Sequence, residues 1–219
     1  METEVKLAFD SKEELFDIIN AEWFSDYCLD TSVKEPVKLT NIYYDTADRK
    51  IAGRGGAIRV RSFYDDEGEK FEHTVKFGGG AANGLHQRYE WNVVSDSSRF
   101  NIREFIRCAF GNDDPQDLLE DFLKGITEDE LHPICSTIFN RTTYMFGFGD
   151  SMMEACFDDG VIRAGDKEDT ICELELELES GDVVDLKDMA EFIVENTGAR
   201  PFNESKFKRC LALLDEDES

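Results

Sequence analysis

Charge at every second position constrains this chain more than any other feature. In the run Glu2-Thr3-Glu4-Val5-Lys6-Leu7-Ala8-Phe9, the residues Glu2, Glu4 and Lys6 alternate with a set that includes Val5, Leu7 and Phe9. Side chains alternate faces along a strand, so the three charges share one face and the apolar residues line the other. The pattern returns near the far end, where Glu173, Glu175, Glu177 and Glu179 alternate with Cys172, Leu174, Leu176 and Leu178. Between these two rows Arg59 and Arg61 flank Val60, Lys76 follows Val75, and Arg88 and Glu90 flank Tyr89. Each strand has one apolar and one charged face, and the charged faces carry both signs.

Ordinary small barrels fill their interior with the apolar faces. The rows here predict the reverse: helices cover the apolar faces outside, and the charged faces line a wet lumen. Glu2 and Glu4 lie about 7 Å apart by strand rise, within reach of one hard cation. Glu175 and Glu177 complete that shell if the last strand closes beside the first. Lys6, Arg59, Arg61, Lys76, Arg88, Arg141 and Lys206 supply the anion-binding set, Arg with paired donors and Lys as a mobile point charge. Glu90 and Asp158 share a face with these rows and are candidates to orient or activate water. Such a constellation describes a site for a metal-bound polyanion. The competing reading is a set of solvated strands whose acids and bases pair across the sheet.

Strand-like runs at about 37 to 45, 56 to 64, 70 to 77 and 85 to 94 are separated by glycine-rich turns, as in an antiparallel meander. After residues 96 to 131, which read as a helical insertion laid over the sheet, strands resume at about 134 to 147, 151 to 163 and 168 to 179. With the opening strand the total is eight. Asp10 or Ser11 caps a helix through Leu15, Ile18 and Ile19, and a helix around Leu186 to Thr197 is expected to stop at Gly198 in the left-handed conformation. A last helix, from about Asn203 to Leu214, carries Lys206 near its start. The expected class is α+β, mainly β: an eight-stranded antiparallel β-barrel, or tunnel, with a polar lumen and peripheral helices. Residues 1–214 form a single domain and 215–219 an acidic tail.

The chain of 219 residues has 41% hydrophobic content and 17 Phe, enough for a sizeable core. Its net charge of −25 argues against nucleic-acid and anionic-membrane partners, which need a basic field. A basic pocket inside an acidic protein would instead admit small polyanions. Cys28, Cys108, Cys135, Cys156, Cys172 and Cys210 form no CxxC pair and follow no secretory leader, so six free thiols and a cytoplasmic location are expected. No run approaches the roughly 18 apolar residues of a membrane span. Gly78-Gly79-Gly80 with Gly84 lacks the spacing of a phosphate-cradling loop and reads as a hairpin. His73, His86 and His132 lack metal-ligand spacing, and of the adjacent Tyr43 and Tyr44 at most one can reach the lumen.

Taken in order, these segments resemble the triphosphate tunnel metalloenzymes, or CYTH superfamily, whose amino-terminal signature ExExK appears as Glu2-Thr3-Glu4-Val5-Lys6. The segments Asn41 to Thr46, Gly84 to Arg88 and Ile171 to Leu178 look like those of bacterial inorganic triphosphatases. The resemblance implies hydrolysis of inorganic triphosphate to pyrophosphate and phosphate, with Mg²⁺ or Mn²⁺ as cofactor. It implies metal on Glu2, Glu4, Glu175 and Glu177, with Glu173 nearby as a further catalytic candidate. Triphosphate would lie on Lys6, Arg59, Arg61, Lys76, Arg88 and Arg141, and Lys206 matches the family's late lysine. The helical CHAD domain that follows many such tunnels is not expected here. The alternatives are a class IV adenylyl cyclase, a thiamine or nucleoside triphosphatase on the same scaffold, and a non-catalytic polyphosphate-binding module. The sequence fixes no oligomeric state.

Overall fold

The computed structural model describes residues 1–65, 68–110 and 114–215. The tail from 216 onward and part of the turn between 65 and 68 lie outside them. The alternating runs form β1 (Glu2–Ala8), β2 (Val37–Asp45), β3 (Gly56–Asp65), β4 (Gly68–Ala82), β5 (Leu85–Ser95), β6 (His132–Phe148), β7 (Ser151–Ala164) and β8 (Lys167–Ser180). All pairings are antiparallel, in the order β5-β4-β3-β2-β6-β7-β8-β1. A further pairing of β1 with β5 closes the eight into a ring. A two-residue strand, β9 (Arg200–Pro201), sits beside Leu7 and Ala8; its brevity left no periodic signal in the sequence.

The helices are α1 (Lys12–Asp17), α2 (Phe24–Tyr27), α3 (Lys50–Gly53), α4 (Ile102–Cys108), α5 (Gln116–Leu123), α6 (Val183–Asn196) and α7 (Lys206–Asp215). Ser11 caps α1, accepting from the Glu14 amide at 3.2 Å, with Glu13 and Glu14 in the first turn. Helices α1, α2 and α6 cover Val5, Leu7, Phe157, Leu174 and Leu176, which project outward from the ring. Helices α4 and α5 cover Ile58, Val60, Val75 and Trp91 on the far side. There Phe122 of α5 stacks on Phe77 at 4.2 Å, and Phe77 stacks on Trp91 at 5.2 Å. The hydrophobic core therefore lies mainly outside the ring, as the charge alternation requires.

Helix α7 is placed differently. Its Phe207 and Cys210 pack on Leu39, Tyr43, Phe139, Ile162 and Ile171, which belong to the inner face, so this helix stoppers one end of the ring. Here one expectation fails. Cys135, at the start of β6, and Cys210 are joined in a disulfide across 75 residues, with Cα atoms 6.2 Å apart, while Cys28, Cys108, Cys156 and Cys172 are free. Ring closure brings the two sulfurs together, and no spacing rule foretells that. The end of α6 also differs: Thr197 is extended and its hydroxyl donates to the Ile193 carbonyl at 2.7 Å, satisfying the terminus without a left-handed Gly198.

Gly78 and Gly79 belong to β4 and not to the turn that follows it. Both have positive φ, and between Phe77 and Gly80 the β4 strand carries one residue more than β5. Such a bulge needs left-handed backbone, which glycine adopts without strain. A side chain on Gly79 would also collide with the Gln87 carbonyl.

Replacing Trp91, fully buried under α5, by Ala is expected to destabilise the protein by about 3–5 kcal/mol in urea unfolding. A loss below about 1 kcal/mol would show that the outer cluster is not part of the stabilising core.

Candidate active site

The inner faces enclose a cavity of about 490 Å³. Strand parity brings Glu2, Glu4 and Lys6 of β1, Arg59 and Arg61 of β3, and Lys76 of β4 to its wall. It does the same for Arg88 and Glu90 of β5, Arg141 of β6, and Glu175 and Glu177 of β8, while α7 contributes Lys206. Across the β1–β8 ladder Glu4 faces Glu177 and Lys6 faces Glu175. Asp158 and Glu173 do not line the cavity. They lie behind its wall, fully buried beneath Lys206 and Arg141.

Toward α7 most charges are paired, although Glu173 Oε2 is buried without a hydrogen-bond partner, and burial, with Glu175 and Asp158 adding against the pull of Lys206 and Lys6, raises the Glu173 carboxyl. Arg141 forks Asp158 through Nε and Nη2, both at 2.7 Å, and reaches Glu175 at 2.5 Å. Lys206 donates to Asp158 at 2.7 Å, to Glu175 at 3.0 Å and to Glu173. Lys6 donates to Glu4 at 3.0 Å and to Glu175. Burial opposes charge on Glu175, yet Lys206, Lys6 and Arg141 together hold its carboxyl well below the usual range. Burial likewise opposes charge on Lys206, and Asp158, Glu173 and Glu175 outweigh it and raise its pKa. The oxygens of Asp158, Glu173 and Glu175 come within 4.8 Å of one another, but the lysine already answers their charge.

At the other end the carboxylates are under-compensated. Glu2 Oε1 accepts from Lys76 at 2.8 Å, Lys76 also meets Glu90 at 2.5 Å, and Glu4 pairs with Arg88. Glu2 Oε2 is buried without a hydrogen-bond partner, with Arg88 at 3.7 Å. Glu177 makes no ion pair with any described residue. Burial first, and then the charge of Glu2 with Glu4 and Glu90 adding, pushes its carboxyl up to about 8. Oxygen donors with unmet negative charge are what a hard divalent cation requires, so Glu2 and Glu177 fit one, and Glu4, which faces Glu177 across the ladder, stands beside them but already accepts from Lys6 and Arg88. Glu175 is committed to three cations and fits less well.

Across the lumen the imbalance has the opposite sign. Arg59 donates to Glu72 at 2.9 Å and to Thr74 Oγ1 at 2.8 Å, and Arg61 Nε donates to Asn41 Oδ1 at 2.9 Å. Burial, then repulsion from Arg59 and Arg141, draws the Arg61 guanidinium down to about 10. An anion arriving there relieves that repulsion.

Several wall residues escaped the sequence reading. Glu72 and Thr74 share parity with Lys76, Glu154 with Asp158, and Asn41 with Tyr43; all five of Asn41, Tyr43, Glu72, Thr74 and Glu154 line the cavity. Carrying the alternation two to four residues further along β4 and β7, and applying it to β2, would have found them. His86 also lines the cavity and contacts the Phe202 carbonyl through Nε2 at 3.0 Å. His73 faces outward against Phe100, and His132 is exposed. Tyr43 reaches the lumen while Tyr44 packs outside.

No helix among the described residues is long and apolar enough to cross a membrane. The chain is 32% identical over 175 residues to the inorganic triphosphatase of Haemophilus influenzae, an alignment covering 80% of this chain and 46% of that protein. It thus spans about half the length of that curated relative. Among solved structures it is similar to HpAC1 from Hippeastrum, described as revealing a dominant triphosphatase activity, with a TM-score of 0.64, 17% identity, and coverage of 97% and 96% of the two chains. A Bacillus halodurans protein solved as a candidate adenylate cyclase gives a TM-score of 0.54, 18% identity, and coverage of 95% and 98%. At such identities these two likenesses show a shared fold. The CYTH domain matches residues 1–211, and with the inward charge rows this places the chain in the CYTH domain family.

Proposed function

We propose that this protein hydrolyses inorganic triphosphate to pyrophosphate and phosphate within the ring, with Mg²⁺ or Mn²⁺ bound beside the substrate. One observation carries the reading: a single 490 Å³ cavity holds Glu177, which makes no ion pair with any described residue, and Arg61, which meets Glu72 only at 3.6 Å and is crowded by Arg59 and Arg141. A cation and a polyanion bound together answer both. The name of the Haemophilus relative supports the same reaction.

Phosphoryl transfer asks a protein chiefly to position the reacting groups and offset charge on the phosphoryl oxygens. Arg59, Arg61, Arg88 and Arg141, with Lys6, Lys76 and Lys206, would grip those oxygens. Glu2, Glu4 and Glu177 would hold the divalent cation, which when bound supplies positive charge to the phosphoryl oxygens. Burial opposes charge on Glu90, but Lys76 keeps its carboxyl low, so Glu90 suits orienting the attacking water better than taking its proton. Asp158 and Glu173, behind the wall, act through Arg141 and Lys206 by fixing where those cations point. The lining contributed by Tyr43, Ala57 and Leu211 near α7 favours, as a second reading, a triphosphate bearing an organic group.

Phosphate release from tripolyphosphate, ATP and thiamine triphosphate, each with Mg²⁺, Mn²⁺ or chelator, separates these readings. The expected result is the highest kcat/KM on tripolyphosphate and none in chelator; a preference for either organic ester would displace the first reading. Glu4→Gln should abolish metal-dependent turnover while leaving the circular-dichroism spectrum intact, and full activity would remove Glu4 from the metal shell. Arg61→Ala should lower kcat/KM by about 10²-fold, the scale of one lost transition-state donor; an unchanged value would refute its contact.

Glu177 adds a pH signature to the metal-free protein. Its folded pKa lies above its unfolded value, so between pH 4.5 and about 8 the folded state binds more protons than the unfolded. Stability from this group is full below the unfolded pKa and is lost as pH rises through the folded one. In chelator, Tm should fall from pH 6 to 9, and Glu177→Gln should flatten that fall. Parallel profiles for the two proteins would contradict it.

A further inference from the structure

Lys206 and Cys210 stand one turn apart on the same face of α7, and both reach into the ring. Lys206 is the cation that answers Asp158, Glu173 and Glu175, resting 4.9 Å from the centre of the Phe139 ring. The disulfide from Cys210 to Cys135 is a covalent tie from this helix to the barrel strands. Non-covalent ties hold it too: Phe207 packs on Tyr43 and its neighbours, Arg209 reaches Asp169 at 2.8 Å, the Thr170 carbonyl and Glu173, Lys167 Nζ donates to the Leu213 carbonyl at 3.0 Å, and Arg49 pairs with Asp215. Cys210 is fully buried and Cys135 nearly so, so a reductant reaches the sulfurs only when α7 lifts.

We propose that the Cys135–Cys210 disulfide is a redox latch that sets the position of Lys206 and through it the affinity of the lumen for polyanions. A dithiol reductant breaks the sulfur–sulfur bond: one thiolate attacks a cysteine sulfur, its second thiol resolves the mixed disulfide, and the reductant leaves as a cyclic disulfide. Cys135 and Cys210 gain two electrons and two protons and become thiols. With the tie gone, α7 is held by side-chain packing and rim contacts, and Lys206 spends less time between its three carboxylates. Those acids then face the cavity answered by Arg141 and Lys6 but not by Lys206, and a polyanion meets a more negative floor. The affinity clause rests on the triphosphate reading; the latch itself does not.

The test measures amide exchange across residues 206–215 and calorimetric binding of tripolyphosphate with Mg²⁺, in wild-type protein with and without a dithiol. Alkylation and mass spectrometry score the thiols. The expected result is two protected cysteines before reduction, faster exchange in α7 after it, and binding weakened about tenfold, the scale of one charge-assisted contact. Cys210→Ala should match the reduced protein without any dithiol. Lys206→Gln should bind weakly in both states and not respond to the dithiol, an outcome that merely loosened packing would not give. Identical α7 exchange in both states, or alkylation of all six cysteines before reduction, overturns the latch. Faster α7 exchange with no tripolyphosphate binding in either state upholds the latch and overturns the polyanion reading.

Discussion

A charge removed from water survives only beside its opposite, and the interior of this ring is organised by that requirement. Desolvating an ion costs several kcal/mol unless a partner and hydrogen bonds replace the lost water. Toward α7 the condition is largely met, with Arg141, Lys6 and Lys206 interleaved among Asp158, Glu173 and Glu175 and only Glu173 Oε2 of those acids left without a hydrogen bond. Away from α7 it is not. There Glu177 makes no ion pair with any described residue, and Arg61 is crowded by Arg59 and Arg141. One end of the lumen is thus neutralised mostly from within while the other leaves charge of both signs less fully answered, and the contrast follows from where neutralisation is incomplete.

Much of this was legible beforehand because period-two alternation is unambiguous. A row such as Glu173-Glu175-Glu177 against Leu174-Leu176 assigns both secondary structure and facing, and all eight ring strands were located from such rows and their turns. What stayed hidden depended on closure. Asp158 carries the parity of a lumen residue but sits too deep to touch the cavity, because Lys206 arrives from a helix 48 residues away and covers it. The pairing of Cys135 with Cys210, and the two-residue β9, likewise exist because distant segments meet at one end of the ring. Strand periodicity carries no information about a helix entering the lumen from the end.

Placing the apolar clusters on the outside of the ring separates two properties that most small barrels combine. Ile58, Val60, Val75 and Phe77 supply packing without touching the cavity, whereas Arg59, Arg61 and Lys76 supply charge on the opposite faces of the same strands. Wall residues can therefore change without opening voids in the core. That arrangement agrees with a shared fold across proteins only 17–18% identical to this one.

The extra residue at Gly78–Gly79 has a further bearing on how such a chain tolerates change. Before it the even-numbered Thr74 and Lys76 of β4 point inward, and beyond it the odd-numbered Ala81 does, opposite His86. The bulge is a phase shift written into the strand. Deleting a single glycine there would leave Gly80 opposite Gln87 and Ala81 still facing inward opposite His86, so the bulge absorbs a change of length that elsewhere in the strand would turn every following side chain to the other face.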